Sequence, residues 1–271
     1  MSAIGILAAV HDEIAELLQA MGPGVVTRRI GQRDYYSGVL AGRNCVLVLA
    51  RMGKVAAAAT VVTLIREFHV TAVVFTGLAG AVAPHVNVGD VVVARSLLQH
   101  DLDARPLFPQ YEVPLLGRSY FDADVDLTAL LTESAQDYLA SGLMQEVSAG
   151  TLNAFGVSAP AVHEGTIVSG DRFINDARSI EALQASLPDA LCVEMEGAAV
   201  AQICHEYDVP CAVLRTISDR ADDTAGVDFH AFLTQVASHY SAGILRRFLQ
   251  NYEPQVHNDA DVPQSHRSLT A

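Results

Sequence analysis

Short apolar runs alternate with stretches of helical spacing along nearly the whole chain, and no other feature restricts the fold as much. Ala3–Val10 (AIGILAAV) reads as a strand, and His11–Met21 follows with Ile14, Leu17 and Leu18 at helical spacing. Tyr35–Leu40 and Cys45–Ala50 read as strands joined by a turn at Gly42-Arg43-Asn44. Gly53–Phe68, rich in Ala, Val and Leu, predicts a buried helix. Thr71–Thr76 predicts a strand that ends in the small-residue turn Gly77-Leu78-Ala79-Gly80, and Val91–Ala94 another after Gly89-Asp90. Further on, strands are expected at Gly165–Val168, Ala190–Val193 and Cys211–Ile217, and helices at Leu127–Leu139, Glu196–Tyr207 and Phe229–Leu249. Asp101–Tyr120, with three prolines and no clear period, reads as a long functional loop. Such alternation implies an α/β fold with a mixed or largely parallel sheet covered on both faces. No repeat or linker divides residues 1–252, which are expected to form a single domain, while 253–271 read as a polar, mobile tail.

Composition narrows the class of partner. The 271 residues are 51% hydrophobic and 18% charged, enough apolar surface for a sizeable core. The formal net charge of -14 leaves no basic footprint for nucleic acid or for an anionic membrane surface. A neutral or cationic small substrate fits better. No Lys/Arg-rich start precedes an apolar stretch, so no signal peptide is expected, and runs such as Val55–Ile65 are too short to span a bilayer. Cys45, Cys192, Cys204 and Cys211 form no close pair and read as buried thiols of a reducing cytosol. A metal site at Cys204 and His205 is disfavoured because adjacent helical residues point apart. Nothing suggests a metal or an organic cofactor.

In sheets of this kind the active site lies beyond the carboxyl ends of strands. Four such ends carry unusual chemistry: His11-Asp12-Glu13, Gly77-Leu78-Ala79-Gly80, Glu194-Met195-Glu196 and Ser218-Asp219. Each has a plain structural reading as well. Carboxylates favour the positive end of a helix dipole, so Asp12, Glu13 and Glu196 also suit helix starts, and Asp219 a turn cap.

Taken in order, the motifs resemble the nucleosidase branch of the nucleoside phosphorylase family, whose members cleave 5′-methylthioadenosine and S-adenosylhomocysteine. The resemblance runs from about Ile4 to Phe248. It rests on Met52-Gly53-Lys54-Val55, Thr76-Gly77-Leu78-Ala79-Gly80, Val88-Gly89-Asp90-Val91, Ser169-Gly170-Asp171-Arg172-Phe173-Ile174, Val193-Glu194-Met195-Glu196 and Arg215-Thr216-Ile217-Ser218-Asp219. It implies a three-layer α/β/α sandwich around a curved mixed sheet, a homodimer, and a set of roles. Asp219 would protonate purine N7 and Glu13 would activate water. Glu196 would accept hydrogen bonds from the ribose hydroxyls, with Met195 beneath the sugar. Phe173 would stack on the base and the Ile174 backbone would read its edge. Arg215 and Glu194 would be supporting polar groups, and Val10, Met52 and Phe229 would line the pocket for the 5′ substituent. One departure is Leu78, which stands where the nucleosidases carry a small hydroxyl residue that helps hold water or sugar.

The chemistry agrees with these roles. Ribosidic cleavage passes through an oxocarbenium-like state, served by one carboxyl that protonates the leaving group and another that activates water. The acid must keep its proton near neutral pH, which calls for a partly desolvated site. Three readings stand: a purine nucleosidase, a phosphate-dependent phosphorylase on the same fold, and a non-catalytic nucleoside-binding protein. The turn Ala8-Ala9-Val10-His11-Asp12-Glu13 lacks the glycines and arginine of a phosphate cradle, which favours the first.

Overall fold

The computed structural model describes residues 2–9, 11, 14–220 and 230–254. Val10, Glu13 and Phe229 lie outside the described residues, as does all of the expected tail beyond 254. The first half runs β1 (Ile4–Ala8), α1 (Ala15–Ala20), β2 (Val26–Ile30), β3 (Arg33–Leu40), β4 (Arg43–Leu49), α2 (Lys54–Phe68), β5 (Ala72–Phe75), β6 (Leu78–Ala81), β7 (Val91–Gln99) and β8 (Tyr120–Asp122). The second half runs α3 (Val125–Asp137), α4 (Leu143–Glu146), α5 (Ala149–Ala154), β9 (Val162–Ser169), α6 (Ala177–Ser186), β10 (Ala190–Glu194), α7 (Gly197–Glu206), β11 (Cys211–Asp219) and α8 (Ser238–Asn251).

The strands form one mixed sheet in the order β2-β3-β4-β1-β5-β11-β6-β10-β9-β7-β8. Side chains alternate across its two faces, as strand geometry requires. Ile4, Ile6 and Ala8 of β1 pack with Leu17 of α1, Leu131 of α3 and Ile244 and Phe248 of α8. Leu7 turns the other way, toward Ala57, Val61 and Leu64 of α2 and Val200 and Cys204 of α7. The three-layer α/β/α arrangement expected from the sequence is the one observed. Its sheet curves further than an open sandwich, because β11 also pairs antiparallel with β7 through Leu214, Arg215 and Thr216. The strands β11, β6, β10, β9 and β7 therefore close into a ring.

Closure corrects one expectation. Leu78–Ala81 is not a turn but strand β6, parallel to β11 at Thr216↔Leu78 and antiparallel to β10 at Val193↔Gly80. Glycine and alanine have little strand propensity of their own. Here two long neighbours supply the ladder, and the small side chains let a strand sit inside the tight curve. Val26–Ile30, with no apolar alternation, is an exposed strand at the far edge of the sheet, where pairing with β3 alone defines it. The segment from Asp101 to Ser119 has turns and one isolated bridge, Val113–Arg118, but no helix or strand, as its composition suggests.

The helical layer over β1 is tightly closed. Tyr138 is fully buried, and a Cβ on Gly243 of α8 would lie 2.0 Å from its ring. Helix propensity alone would make Gly243→Ala stabilising by about 1 kcal/mol. The clash instead predicts a net loss, since overpacking a closed core costs about 1–3 kcal/mol. Thermal unfolding of the variant should show a lower Tm; an unchanged or raised Tm would mean that the α8 crossing has room to spare.

Candidate active site

A cleft opens where β1, β9, β10 and β11 end and β6 passes beneath. Its wall comprises Ala9, Met52, Leu78, Ala79, Gly80, Arg172, Phe173, Ile174, Val193, Glu194, Met195, Glu196 and Asp219. Eight of the residues singled out in the sequence therefore meet in one place: Met52, Leu78, Phe173, Ile174, Glu194, Met195, Glu196 and Asp219. Arg215 lies just behind them, joined to Glu194. The other three, Val10, Glu13 and Phe229, fall outside the described residues.

The two acids of Glu194-Met195-Glu196 have different duties. Glu194 is the last residue of β10, and its side chain turns inward to the start of α7. There it accepts hydrogen bonds from the Gly197 N–H at 2.9 and 2.8 Å and from the Glu196 N–H at 3.1 Å. Helix starts leave such N–H groups without partners inside the helix, and a carboxylate meets both that need and the dipole. The Arg215 Nη2 donates to Glu194 Oε2 at 2.6 Å, and the Ser169 hydroxyl donates to Oε1. Ser169 in turn accepts from the Ala198 N–H at 2.7 Å. Glu196 is buried at the head of α7, and its Oε1 accepts the Gly53 N–H at 2.7 Å.

Arg215 rests its guanidinium on the Phe75 ring, 4.0 Å from the centroid, and also donates to the Leu214 carbonyl at 2.9 Å. Asp219 ends β11. It is 2% exposed and accepts a hydrogen bond from the Ser218 hydroxyl at 2.7 Å. The strand before it, buried along its whole length, provides the dry surroundings that the sequence suggests. Phe173 is 42% exposed at the rim, whereas Ile174 is buried beneath it against Val82, Leu98 and Leu183. Leu78 is 8% exposed and brings a hydrocarbon side chain to the cleft.

Facing Glu196 is the start of α2, where the chain has an unusual conformation. Gly53 has φ +95°, and a Cβ there would lie 3.2 Å from Asp171 Oδ1. The next N–H, that of Lys54, donates to that oxygen at 2.8 Å. The Lys54 ammonium lies 2.5 Å from Asp101 Oδ1, and Asp101 Oδ2 accepts the Asp171 N–H at 2.8 Å. Burial works to raise the Asp101 pKa, but the Lys54 ammonium and the Asp171 N–H outweigh it and the net shift is downward. Lys54, Ser169 and Asp171 stand within the sequence motifs, but no role follows for them from the sequence alone. Asp101 was the first residue of a loop, and only the fold brings it to Lys54.

Among the described residues, no three His, Cys, Asp or Glu converge as metal ligands would. Cys204 is buried within the layer of α2 and α7, while His205 beside it is exposed and meets the Phe121 ring and the Arg118 guanidinium.

The chain belongs to the phosphorylase superfamily, whose family model matches residues 3–250. This is the family that the motifs suggested. Among its relatives, a 5′-methylthioadenosine/S-adenosylhomocysteine nucleosidase of Anoxybacillus flavithermus is 33% identical over 239 residues, which is 88% of this chain and 94% of the relative. An aminodeoxyfutalosine nucleosidase of Helicobacter pylori is 34% identical over 246 residues, 91% of this chain and 97% of the relative. The crystal structure of a 5′-methylthioadenosine/S-adenosylhomocysteine nucleosidase from Neisseria meningitidis in complex with methylthio-immucillin-A superposes with a TM-score of 0.81 at 31% identity. The match covers 93% of this chain and all of that one.

The pair of Glu194 and Arg215 is almost wholly withdrawn from water, so its loss should be felt throughout the site. Arg215→Met leaves a buried carboxylate without its countercharge, and such losses cost about 3–5 kcal/mol. The same substitution in a Glu194→Gln background should cost clearly less, as urea unfolding of both variants will show. Equal costs in the two backgrounds would mean that the ion pair contributes nothing of its own.

Proposed function

We propose that this protein hydrolyses the N-glycosidic bond of purine nucleosides, with 5′-methylthioadenosine and S-adenosylhomocysteine as the preferred substrates. The observation that carries this reading is the meeting, in one cleft, of two buried carboxyl groups, Asp219 and Glu196, with the exposed Phe173 ring. The names of the relatives support it. Asp219, dry at the end of β11, is suited to deliver a proton to N7 of the base. Glu196 keeps a carboxylate at the cleft to receive the ribose hydroxyls, and Met195 packs under the sugar. Phe173 offers a face on which the purine stacks, and the Ile174 backbone reads its edge. Glu13, bracketed in sequence by Ala9 of the cleft wall and the buried Ile14, takes the proton of the attacking water. The C1′–N9 bond breaks, the base leaves carrying the proton from Asp219, and the hydroxide equivalent closes onto C1′. Glu194 and Arg215 support the site from behind. The scheme calls on no cofactor.

Water is favoured over phosphate because the arginines near the cleft are engaged elsewhere. Arg215 is joined to Glu194, Arg172 to Asp176 at 3.0 Å, and Arg51 donates to the Gln32 carbonyl at 2.6 Å. A phosphate dianion would need such groups aimed at C1′. Met52, with Val10 and Phe229 assigned beside it from sequence, gives the 5′ pocket an apolar lining that suits an alkylthio group better than a free hydroxyl. Leu78 adds to the apolar wall.

The protein is further proposed to act as a homodimer in the cytoplasm. Val55, Leu107 and Leu115, exposed by 82%, 82% and 93%, leave apolar surface at the start of α2 and along 101–119 that a second copy would cover. All four cysteines are free and buried, which fits a reducing compartment. No helix among the described residues is long and apolar enough to cross a membrane. Residues 1–252 are taken as the catalytic domain, with 253–271 as an appended tail.

Asp219→Asn keeps the shape and removes the acid. Turnover on methylthioadenosine should fall about a hundredfold or more, with a smaller change in affinity. Near wild-type turnover would rule out the role. Glu196→Ala should weaken ribosides relative to 2′-deoxyribosides by about 1–3 kcal/mol, the range for hydrogen bonds to a charged group. Equal losses would show that Glu196 does not read the hydroxyls. Wild-type protein assayed on a panel that includes aminodeoxyfutalosine will rank the two substrate classes named for its relatives.

A further inference from the structure

We infer that the ion pair of Lys54 and Asp101 is a positioning device, which holds the two halves of the substrate site, the sugar acceptor Glu196 and the loop bearing Phe173, in fixed relation. The inference rests on the function proposed above and deepens it. Its basis is the start of α2. The consecutive N–H groups of Gly53 and Lys54 donate to carboxylates from two different segments, Glu196 of the cleft wall at 2.7 Å and Asp171, just before the wall residue Arg172, at 2.8 Å. Those acids are far apart in sequence, and α2 has no capping side chain of its own. A fifteen-residue helix thus directs its positive end at both. One acid is assigned to the ribose, and the other is two residues before the aromatic platform for the base.

The side chain of Lys54 closes the arrangement. It reaches Asp101, whose second oxygen accepts the Asp171 N–H, so that Lys54, Asp101 and Asp171 form a ring of three contacts across three segments. Asp171 is held from both sides: its carboxylate by α2, its N–H by Asp101. The turn before it has little freedom either. The Gly170 N–H donates to the Glu194 carbonyl at 3.1 Å, and a Cβ on Gly170 would lie 2.3 Å from the His100 ring at the end of β7. The loop that carries Phe173 therefore has two fixed ends of attachment near the site, one through Glu194 and one through the clasp. Lys54 and Asp101 touch neither base nor sugar in this scheme. They act through Gly53, Glu196 and Asp171.

The pair is suited to test because it is only partly buried, with side chains 16% and 31% exposed. Replacing it should leave the fold intact. Lys54→Met and Asp101→Asn should each raise KM for methylthioadenosine about tenfold while kcat stays within about threefold, because binding geometry is lost and the acid is not. The double variant should be little worse than either single, as expected for partners in one interaction. Lys54→Arg should recover most of the loss. Hydrogen exchange followed by mass spectrometry gives a readout independent of turnover: amides of 52–57 and of 170–175 should lose protection together in each single variant. Unchanged KM in the singles, additive effects in the double, or loss of protection confined to the mutated segment would overturn the clasp. A wild-type protein that cleaves no purine nucleoside would overturn the function instead, and the exchange result would then decide the clasp by itself.

Discussion

Glu194 and Arg215 meet at 2.6 Å with side chains 2% and 1% exposed, and the architecture of the site follows from that contact. Withdrawing two charges from water is costly, and the cost is offset only when every remaining donor and acceptor has a partner. Here the carboxylate gathers the Ser169 hydroxyl, the Glu196 and Gly197 N–H groups and the guanidinium. Four segments are thereby fixed to one point: the end of β9, the end of β10, the start of α7 and the middle of β11. β9, β10 and β11 are three of the five strands of the closed part of the sheet. Its tight curve and the buried ion pair support each other, since the ring of strands brings Arg215 to Glu194 and the pair keeps the ring from opening.

From this point the reactive groups are set out by short stretches of chain. Glu196 is two residues beyond Glu194, with its own N–H held by it. Asp219 is four residues beyond Arg215 on the same strand. Phe173 follows Ser169 around a turn whose Gly170 N–H returns to the Glu194 carbonyl. The Glu194 carboxylate thus governs the spacing of Glu196, Asp219 and Phe173 around the cleft. Short connections of this kind limit drift in the relative positions of Asp219, Glu196 and Phe173, which the proposed reaction, with its dissociated sugar cation, would demand. The start of α2 adds the one long-range tie, through Gly53 to Glu196 and through Lys54 to Asp101.

Much of this was legible in the sequence, and the parts that were not share a cause. The runs at Ile4–Ala8 and residues 211–214 are apolar throughout and buried on both faces, so their strand pattern is strong. Met195, Glu196 and Asp219 are singled out by standing directly at strand ends, and Phe173 by the family resemblance of the motif Ser169-Gly170-Asp171-Arg172-Phe173-Ile174. Leu78–Ala81 escaped notice as a strand because its residues carry no propensity for one; its neighbours β10 and β11 specify it. Val26–Ile30 escaped because an exposed edge needs no apolar face. The resemblance alone gives the two acids flanking Met195 different roles; the fold adds that Glu194 takes the N–H groups at the start of α7 while Glu196 takes the Gly53 N–H. The contact between Lys54 and Asp101 spans 47 residues and has no local signature at all.

In the proposed reaction this cleft transfers the ribosyl group of a purine nucleoside to water and releases the base. The direct measurement is to incubate the purified protein with methylthioadenosine in buffer freed of phosphate, then to identify both products and repeat with phosphate added. The account predicts free adenine and free methylthioribose at a rate that phosphate does not raise. A strict requirement for phosphate, with a sugar 1-phosphate as product, would contradict it.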